Sequence, residues 1–199
     1  MAKPFRLMFC AAGLLLLSSC SPRDYLTRRL AADLIAGSTA FRPAQNFELR
    51  TGVISNKDYL TPEYLALQHH GWISSNKAAC PPAVESPCVE VTLTPSGVDT
   101  LQGIIPPSDA EKQSFTIPAA RRELVAVTGI SKQGIVASVE FTWHWVPLNE
   151  IGAAIYPSDA RYRSYAAFRE YDDGWRVIVG AGHPGQPLDD ALKNAEPAP

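Results

Sequence analysis

The chain has 199 residues, of which 46% are hydrophobic and 19% charged, and its formal net charge is −2. This composition predicts a folded body of one domain or two small ones rather than a disordered chain. A net negative charge also argues against a nucleic-acid partner, because such partners require a basic patch or stripe.

The first 19 residues have the layout of a secretory signal. Lys3 and Arg6 give a positive start, the apolar run FCAAGLLLL follows, and Ser18 and Ser19 are the small residues of a cleavage site. The apolar run is too short for a transmembrane helix, which needs about 20 apolar residues. We therefore predict that residues 1–19 are a signal peptide.

The tetrad LSSC at residues 17–20 resembles the lipobox of bacterial lipoproteins. In that family the cysteine thiol receives a diacylglyceryl group, the signal is cut just before the cysteine, and the new amine is acylated. The resemblance implies that Cys20 carries acyl chains of the palmitate kind and anchors the chain in a membrane. Ser21, rather than aspartate, follows the cysteine, which by family analogy favours the outer membrane, facing the periplasm. An ordinary signal peptide with a chance cysteine is the alternative.

Two cysteines remain once Cys10 leaves with the signal and Cys20 carries the lipid. Cys80 and Cys88 form an even pair in an oxidising compartment, and the residues between them include three prolines. We expect a disulfide that closes a hairpin loop and stabilises the fold by about 2–3 kcal/mol. A redox pair or half of a metal site is the alternative, although the CxxC spacing and a nearby ligand cluster are both missing.

Residues 20–105 are predicted to form an α+β region. Ser21-Pro22 has the pattern of a helix start, and Leu26, Leu30 and Leu34 then recur every four residues along one face. The predicted elements are a helix ending near Gly37, a strand over residues 47–54, a helix from Thr61 to Gly71, a hairpin over residues 72–93 and a helix opening at Thr94.

Part of this region, LALQHHGWI followed by a hairpin and VTLTPSGVDTL, resembles the wing of winged-helix domains. The similarity covers residues 65–101. In a DNA-binding winged helix, a basic recognition helix precedes the wing, whereas residues 61–70 contain no lysine or arginine, and Glu63 is acidic. Because a lipid-anchored exported protein would not meet DNA, the resemblance implies a shape and no nucleic-acid function.

Residues 106–182 are predicted to form an antiparallel sheet region after a connector at residues 103–112. The alternation is clearest over residues 135–146, where aromatic side chains share one face and polar ones the other. The predicted strands cover residues 123–130, 135–146, 161–171 and 175–179, with a short helix over residues 150–155 capped by Asn149.

This four-stranded meander with an inserted helix resembles the curved sheet of cystatin-like and nuclear-transport-factor-2-like α+β folds, over residues 120–180. The predicted fold class is therefore α+β: a helix–strand–helix–hairpin segment followed by the meander. The proline-rich residues 183–199 are predicted to be a disordered tail.

Five aromatic side chains are candidates for a ligand cleft on the sheet: Phe141, Trp143, Trp145, Phe168 and Trp175. Filling the core between sheet and helix is the alternative role for these residues. The histidines are scattered, and no metal, phosphate-loop or serine-nucleophile motif occurs in the sequence. We therefore predict no enzyme activity, no metal and no cofactor.

The sequence favours a lipid-anchored, non-enzymatic accessory or interaction module of the cell envelope. Its predicted partners are the membrane, through the lipid anchor, and other envelope proteins. A binding protein for a small apolar or lipid-like ligand is the alternative, with the aromatic face of the sheet as the binding surface.

Overall fold

The computed structural model describes residues 25–82, 84–105 and 113–198. The predicted signal peptide, Cys20 and the helix start at Ser21-Pro22 lie outside these residues. The described part combines helices with mostly antiparallel sheets, which confirms the α+β class. In chain order its elements are α1 (Arg28–Gly37), β1 (Gln45–Arg50), β2 (Gly52–Ser55), α2 (Asn56–Tyr59), α3 (Pro62–His69), β3 (Ile73–Ala78), β4 (Cys88–Leu93), α4 (Pro95–Gln102), β5 (Ser114–Gln133), β6 (Val136–Pro147), α5 (Glu150–Ile155), β7 (Arg161–Tyr171), β8 (Gly174–Val177), α6 (Leu188–Lys193) and β9 (Glu196–Pro197).

A six-stranded antiparallel sheet has the order β1-β5-β6-β7-β8, with β9 paired to the start of β7. Strands β5 to β8 are the predicted four-stranded meander, and α5 is its predicted inserted helix. The Asn149 side-chain oxygen caps α5 by accepting a hydrogen bond from the Gly152 amide at 2.8 Å. The likeness of this sheet to cystatin-like and nuclear-transport-factor-2-like folds stays a prediction.

One strand of the large sheet comes from the N-terminal region, across the predicted boundary at residue 105. The sequence predicted one strand over residues 47–54, but the structure divides it at Gly52, where φ is +82°. Glycine adopts a positive φ without steric cost, so the chain can turn here and leave the large sheet. As a result β1 pairs with β5, while β2 enters a second sheet.

The second sheet has three antiparallel strands in the order β2-β4-β3, and α2, α3 and α4 contact it. The predicted hairpin is formed by β3 and β4, and the predicted disulfide between Cys80 and Cys88 closes its loop. Helices α3 and α4 begin after Thr61 and Thr94, as predicted, whereas the four-residue α2 was not predicted. The resemblance of this region to a winged-helix wing stays a prediction.

Two hydrophobic cores lie on opposite faces of the large sheet. The first core lies between the sheet and the helices α1 and α6, and it includes Ala120 of β5. The second core joins the small sheet, α3 and α5 to β1 and β5, and it includes Ala119. Because neighbouring strand residues point to opposite faces, Ala119 and Ala120 mark the two sides of one strand. The N-terminal and C-terminal regions therefore share both a sheet and a core.

The C-terminal segment is folded, so the prediction of a disordered tail over residues 183–199 is wrong for the described residues up to 198. Leu188, at the start of α6, is fully buried, and its amide donates a hydrogen bond to the Ile178 carbonyl at 2.8 Å. Ala191 and Leu192 are also buried in the first core. Leu188, Ala191 and Leu192 are spaced at i, i+3 and i+4, which is the pattern of one apolar helix face. The prolines and glycines around them make this pattern hard to see in the sequence.

Removal of the disulfide is expected to destabilise the protein. The bridge spans a sequence separation of eight residues, and closing a loop of that size in the unfolded chain contributes about 2–3 kcal/mol. The double variant Cys80→Ala with Cys88→Ala should therefore unfold at a lower urea concentration than the wild type. Reductant should lower the wild-type midpoint and leave that of the double variant unchanged. Equal midpoints for the two proteins without reductant would contradict this expectation.

Candidate functional site

The candidate site is a groove of about 440 Å³ between α1, the turn that follows it, and β5. Helix α1 is capped by Thr27, whose hydroxyl accepts a hydrogen bond from the Leu30 amide, and it buries Ala31 and Ile35 against the sheet. The neighbouring face of α1, with Ala32, Asp33 and Ala36, therefore lines the groove. The groove is lined by Ala32, Asp33, Ala36, Phe41, Arg42, Arg121, Arg122, Glu123 and Leu124.

The turn after α1 is fixed by a short hydrogen-bonded motif at Ser38. Its hydroxyl donates to the Ile35 carbonyl at 2.7 Å and accepts from the Phe41 amide at 3.2 Å. Phe41 is thereby held in the first core, where its ring meets Trp143 edge-on at a centroid distance of 6.4 Å. The hydrogen bonds of Ser38 and the contact between Phe41 and Trp143 therefore hold one end of the groove in place.

Arg122 lies in the groove with its guanidinium over two tryptophans. The guanidinium carbon is 4.7 Å from the Trp145 ring centroid and 5.7 Å from that of Trp143. One guanidinium nitrogen donates to the Ala40 carbonyl at 3.3 Å, but the buried Nε has no hydrogen-bond partner in the described structure. Stacking on aromatic rings is typical of arginine, whose planar cation is attracted to their faces.

The positive charge of Arg122 is not neutralised by any carboxylate among the described residues. Burial lowers its pKa and the nearby Tyr156 opposes that shift, whereas no aspartate or glutamate is among the causes. An arginine remains charged at neutral pH, and a half-buried cation without a counter-ion is energetically unfavourable. A carboxylate or phosphate entering the groove would supply both the missing charge and an acceptor for the guanidinium.

Tyr156, just after α5, extends the aromatic surroundings of Arg122. Its ring centroid lies 4.9 Å from that of Trp145. Burial is the main cause that raises the pKa of Tyr156, and the charge of Glu63 adds to the effect. The phenol is therefore neutral at physiological pH and provides no counter-ion for Arg122.

The rim of the groove is also positively charged on balance. Arg121 and Glu123 form an ion pair at 3.6 Å, in which both side chains are largely exposed. Exposed pairs of this kind contribute little to stability. Arg42 is exposed as well, and Asp33 is the second acid of the lining. Three arginines thus face two carboxylates, in a chain whose overall formal charge is −2.

The five aromatic residues predicted as a possible ligand cleft lie in the first core, as the alternative interpretation had it: Phe141, Trp143, Trp145, Phe168 and Trp175. Helices α1 and α6 cover the face of the sheet that carries them. Trp143 also donates a hydrogen bond through Nε1 to the buried Ser164 hydroxyl at 3.0 Å. The aromatic face therefore does not form an open cleft, but Trp143 and Trp145 support Arg122 from below.

Sequence reasoning missed Arg122, although its position carried a signal. In the alternation of β5, Ala120, Arg122 and Leu124 occupy successive positions on the face of the first core. A charged residue at an inward position of a strand is unusual and points to either pairing or function. The β-rich pattern in the sequence predicts a strand only from residue 123, so the predicted strand does not include Arg122.

His69 and His70 are neighbours at the end of α3, and their rings meet edge-on at a centroid distance of 5.9 Å. His70 stacks on Trp72 at a centroid distance of 4.7 Å, and His144 is half-buried on the outer face of β6. Within residues 25–82, 84–105 and 113–198, no three His, Cys, Asp or Glu side chains come together as metal ligands would. Among the helices described, none has the length and apolar character needed to cross a bilayer.

Comparisons of the chain with protein-family models, with curated proteins and with solved structures gave no match.

Proposed function

We propose that the protein is a lipid-anchored, non-enzymatic interaction module of the cell envelope, and that the groove around Arg122 receives an anionic group of its partner. The anchor is inferred from the LSSC tetrad, with the acyl chains on Cys20. The observation that carries the binding role is the half-buried Arg122 guanidinium without a counter-ion in an open groove.

The position of α1 connects the two parts of this proposal. Only eight residues lead from Cys20 to Arg28 at the start of α1. An extended chain advances at most about 3.6 Å per residue, so this end of α1 would lie within about 30 Å of the membrane anchor. Because α1 also forms one wall of the groove, the groove would be accessible to acidic groups near the membrane surface.

A second candidate is a binding site for an amphipathic, lipid-like anion. The groove combines apolar side chains, Ala32, Ala36, Phe41 and Leu124, with the guanidinium of Arg122. Such a lining suits a carboxylate or phosphate joined to a hydrocarbon chain. The two candidates differ in what the apolar wall contributes to binding. An acidic group of a protein needs only the arginine, so a small anion such as acetate should bind as well as octanoate. A lipid-like ligand also needs the apolar wall, so octanoate should bind more tightly than acetate.

Replacing Arg122 is expected to weaken the binding of anions in the groove. Titration calorimetry of the full chain with acetate and with octanoate should show saturable binding, and Arg122→Gln should weaken it at least about tenfold. The reason is that hydrogen bonds to a charged partner contribute about 1.5–3 kcal/mol. Arg161→Gln, an exposed arginine at the start of β7, is the matched control and should bind like the wild type. Tighter binding of octanoate than of acetate would favour the lipid-like ligand.

The stability of Arg122→Gln separates a binding role from a structural one. The variant loses the cation–π contacts, but it also removes an uncompensated buried charge, so its free energy of unfolding should change by no more than about 1 kcal/mol. A loss of binding with preserved stability supports the proposal. Unchanged anion binding in Arg122→Gln, or equal binding of octanoate and uncharged octanol, would contradict it.

A further inference from the structure

A second cavity, of about 300 Å³, lies on the other face of the large sheet, away from the Arg122 groove. Its floor is formed by the end of β5 and the facing parts of β6 and β7, where Ser131 lies opposite Ser138, and Ser138 opposite Ala167. The loop before α6 forms its side. The polar and aromatic lining consists of Ser131, Gln133, Ser138, Tyr165 and Gln186.

The wall of this cavity is held in a defined position. The Ala167 amide donates a hydrogen bond to the Gln186 carbonyl at 2.8 Å, which ties the loop to β7. Gly185 has φ +95°, and a Cβ atom built on it would lie 2.7 Å from the Ala167 Cβ. Only glycine allows the loop to approach the strand this closely in this conformation. The position of this wall is therefore fixed by backbone contacts between the loop and β7.

The polar side chains of the lining are exposed, so their hydrogen-bonding groups are open to a ligand. The side chains of Ser131, Gln133, Ser138 and Gln186 make no side-chain hydrogen bond within the described residues. Each serine hydroxyl can donate once and accept twice, and each glutamine amide offers two donors and an acceptor. Tyr165, which is 39% exposed, adds an aromatic ring and a phenol.

The chemistry of the lining selects the class of ligand. No charged side chain belongs to the lining, and the Arg163 guanidinium, whose carbon lies 5.9 Å from the Tyr165 ring centroid, is already paired with Glu196 at 2.8 Å. The cavity therefore offers an ion no direct partner to compensate for the loss of its hydration. Several neutral donors and acceptors next to an aromatic ring match a molecule that has many hydroxyl groups and an apolar face of C–H groups. We infer that this cavity binds a neutral saccharide unit. The inference stands apart from the proposed function, because it uses other residues on the opposite face of the sheet.

The test is a titration of the full chain with chitotriose, a neutral oligosaccharide with hydroxyl and amide groups, in a detergent that lacks a sugar headgroup. We expect saturable binding by saturation-transfer NMR, with a dissociation constant in the millimolar range or below. Tyr165→Ala and Gln133→Ala should each weaken binding about tenfold or more. Tyr25→Ala, at a tyrosine that is 63% exposed elsewhere on the surface, is the matched control and should bind like the wild type.

Three results would overturn the inference. The first is that chitotriose shows no saturable binding up to about 20 mM, because its dissociation constant would then lie above the expected millimolar range. The second is equal binding by the wild type, Tyr165→Ala and Gln133→Ala, while circular dichroism shows that all three are folded. The third is tighter binding of an oligosaccharide with carboxylate groups than of neutral chitotriose. None of these outcomes would affect the octanoate titration, so the two proposals fail independently.

Discussion

Replacement of Cys20 by serine is expected to release the protein from membranes. Once its signal peptide is cut, the variant has no acyl chains, and no described helix could take their place as an anchor. Several acyl chains hold a protein firmly at a bilayer, whereas a hydroxyl group at this position would carry none. Fractionation of cells should therefore find the wild type in the membrane fraction and the unacylated protein in the soluble fraction.

The experiment needs two controls, because an uncleaved signal would also hold the chain at the membrane. Residues 21–199 are therefore also exported behind the cleavable signal of a secreted protein, and this form should be entirely soluble. Cys10→Ser, which changes a cysteine inside the apolar run, should behave like the wild type. The membrane fractions are washed with high salt to remove loosely bound protein. If residues 21–199, exported behind the foreign signal, still remain in the membrane fraction, the lipid anchor is contradicted.

Gly152→Ala is expected to cause a large loss of stability. Gly152 lies in α5, and a Cβ atom at this position would be 1.8 Å from the Ala119 carbonyl oxygen of β5. That oxygen accepts a hydrogen bond from the Leu148 amide at 2.9 Å, so it cannot move away without breaking the bond. Overpacking against side chains costs about 1–3 kcal/mol, and a clash with backbone should lie at the upper end, at about 3 kcal/mol.

Gly37→Ala is the matched control for this substitution. Nothing lies within 4 Å of a Cβ atom built on Gly37, and its φ is in the ordinary range. An alanine there should be neutral or stabilise the protein by up to about 1 kcal/mol, because it restricts the unfolded chain. Urea unfolding should therefore separate the two variants by several kcal/mol. Equal midpoints for Gly152→Ala and Gly37→Ala would show that α5 does not dock on β5 as described.

The sequence predicted the elements whose signals are local. The alternation over residues 135–146 is strict because one face of β6 is buried and the other is not. Asn149 and Thr94 mark helix starts because their side chains accept hydrogen bonds from amides in the first turns of α5 and α4. The disulfide followed from the number of cysteines left after the signal and the lipid site were assigned.

The parts that sequence reasoning missed depend on contacts between distant segments. Nothing local indicates that β1 pairs with β5, and the turn at Gly52 that separates β1 from β2 was hidden in a weak strand pattern. The helix α6 was missed because its proline-rich surroundings resemble a disordered tail, although Leu188 is completely buried. The proline-rich composition of this segment therefore favours a disordered tail in the sequence, although a short apolar period of a helix is also present.

The candidate site was only partly accessible from the sequence. The alternation in the sequence predicts that Trp143 and Trp145 share the aromatic face of a strand, with core and ligand cleft as their alternative roles. The structure assigns them to the core and adds Arg122, which contacts both rings from the neighbouring strand. That contact depends on the strand register, in which Arg122 lies opposite Trp145. Sequence spacing alone does not contain this information.

The most direct test of the proposed function is a native mass spectrum of the protein extracted from its membrane in mild detergent. We expect a chain that begins at Cys20 with acyl chains covalently attached, together with a bound acidic molecule or protein that Arg122→Gln fails to retain. A chain without lipid would contradict the anchor. A bound species that the wild type and Arg122→Gln retain equally would contradict the role of the groove.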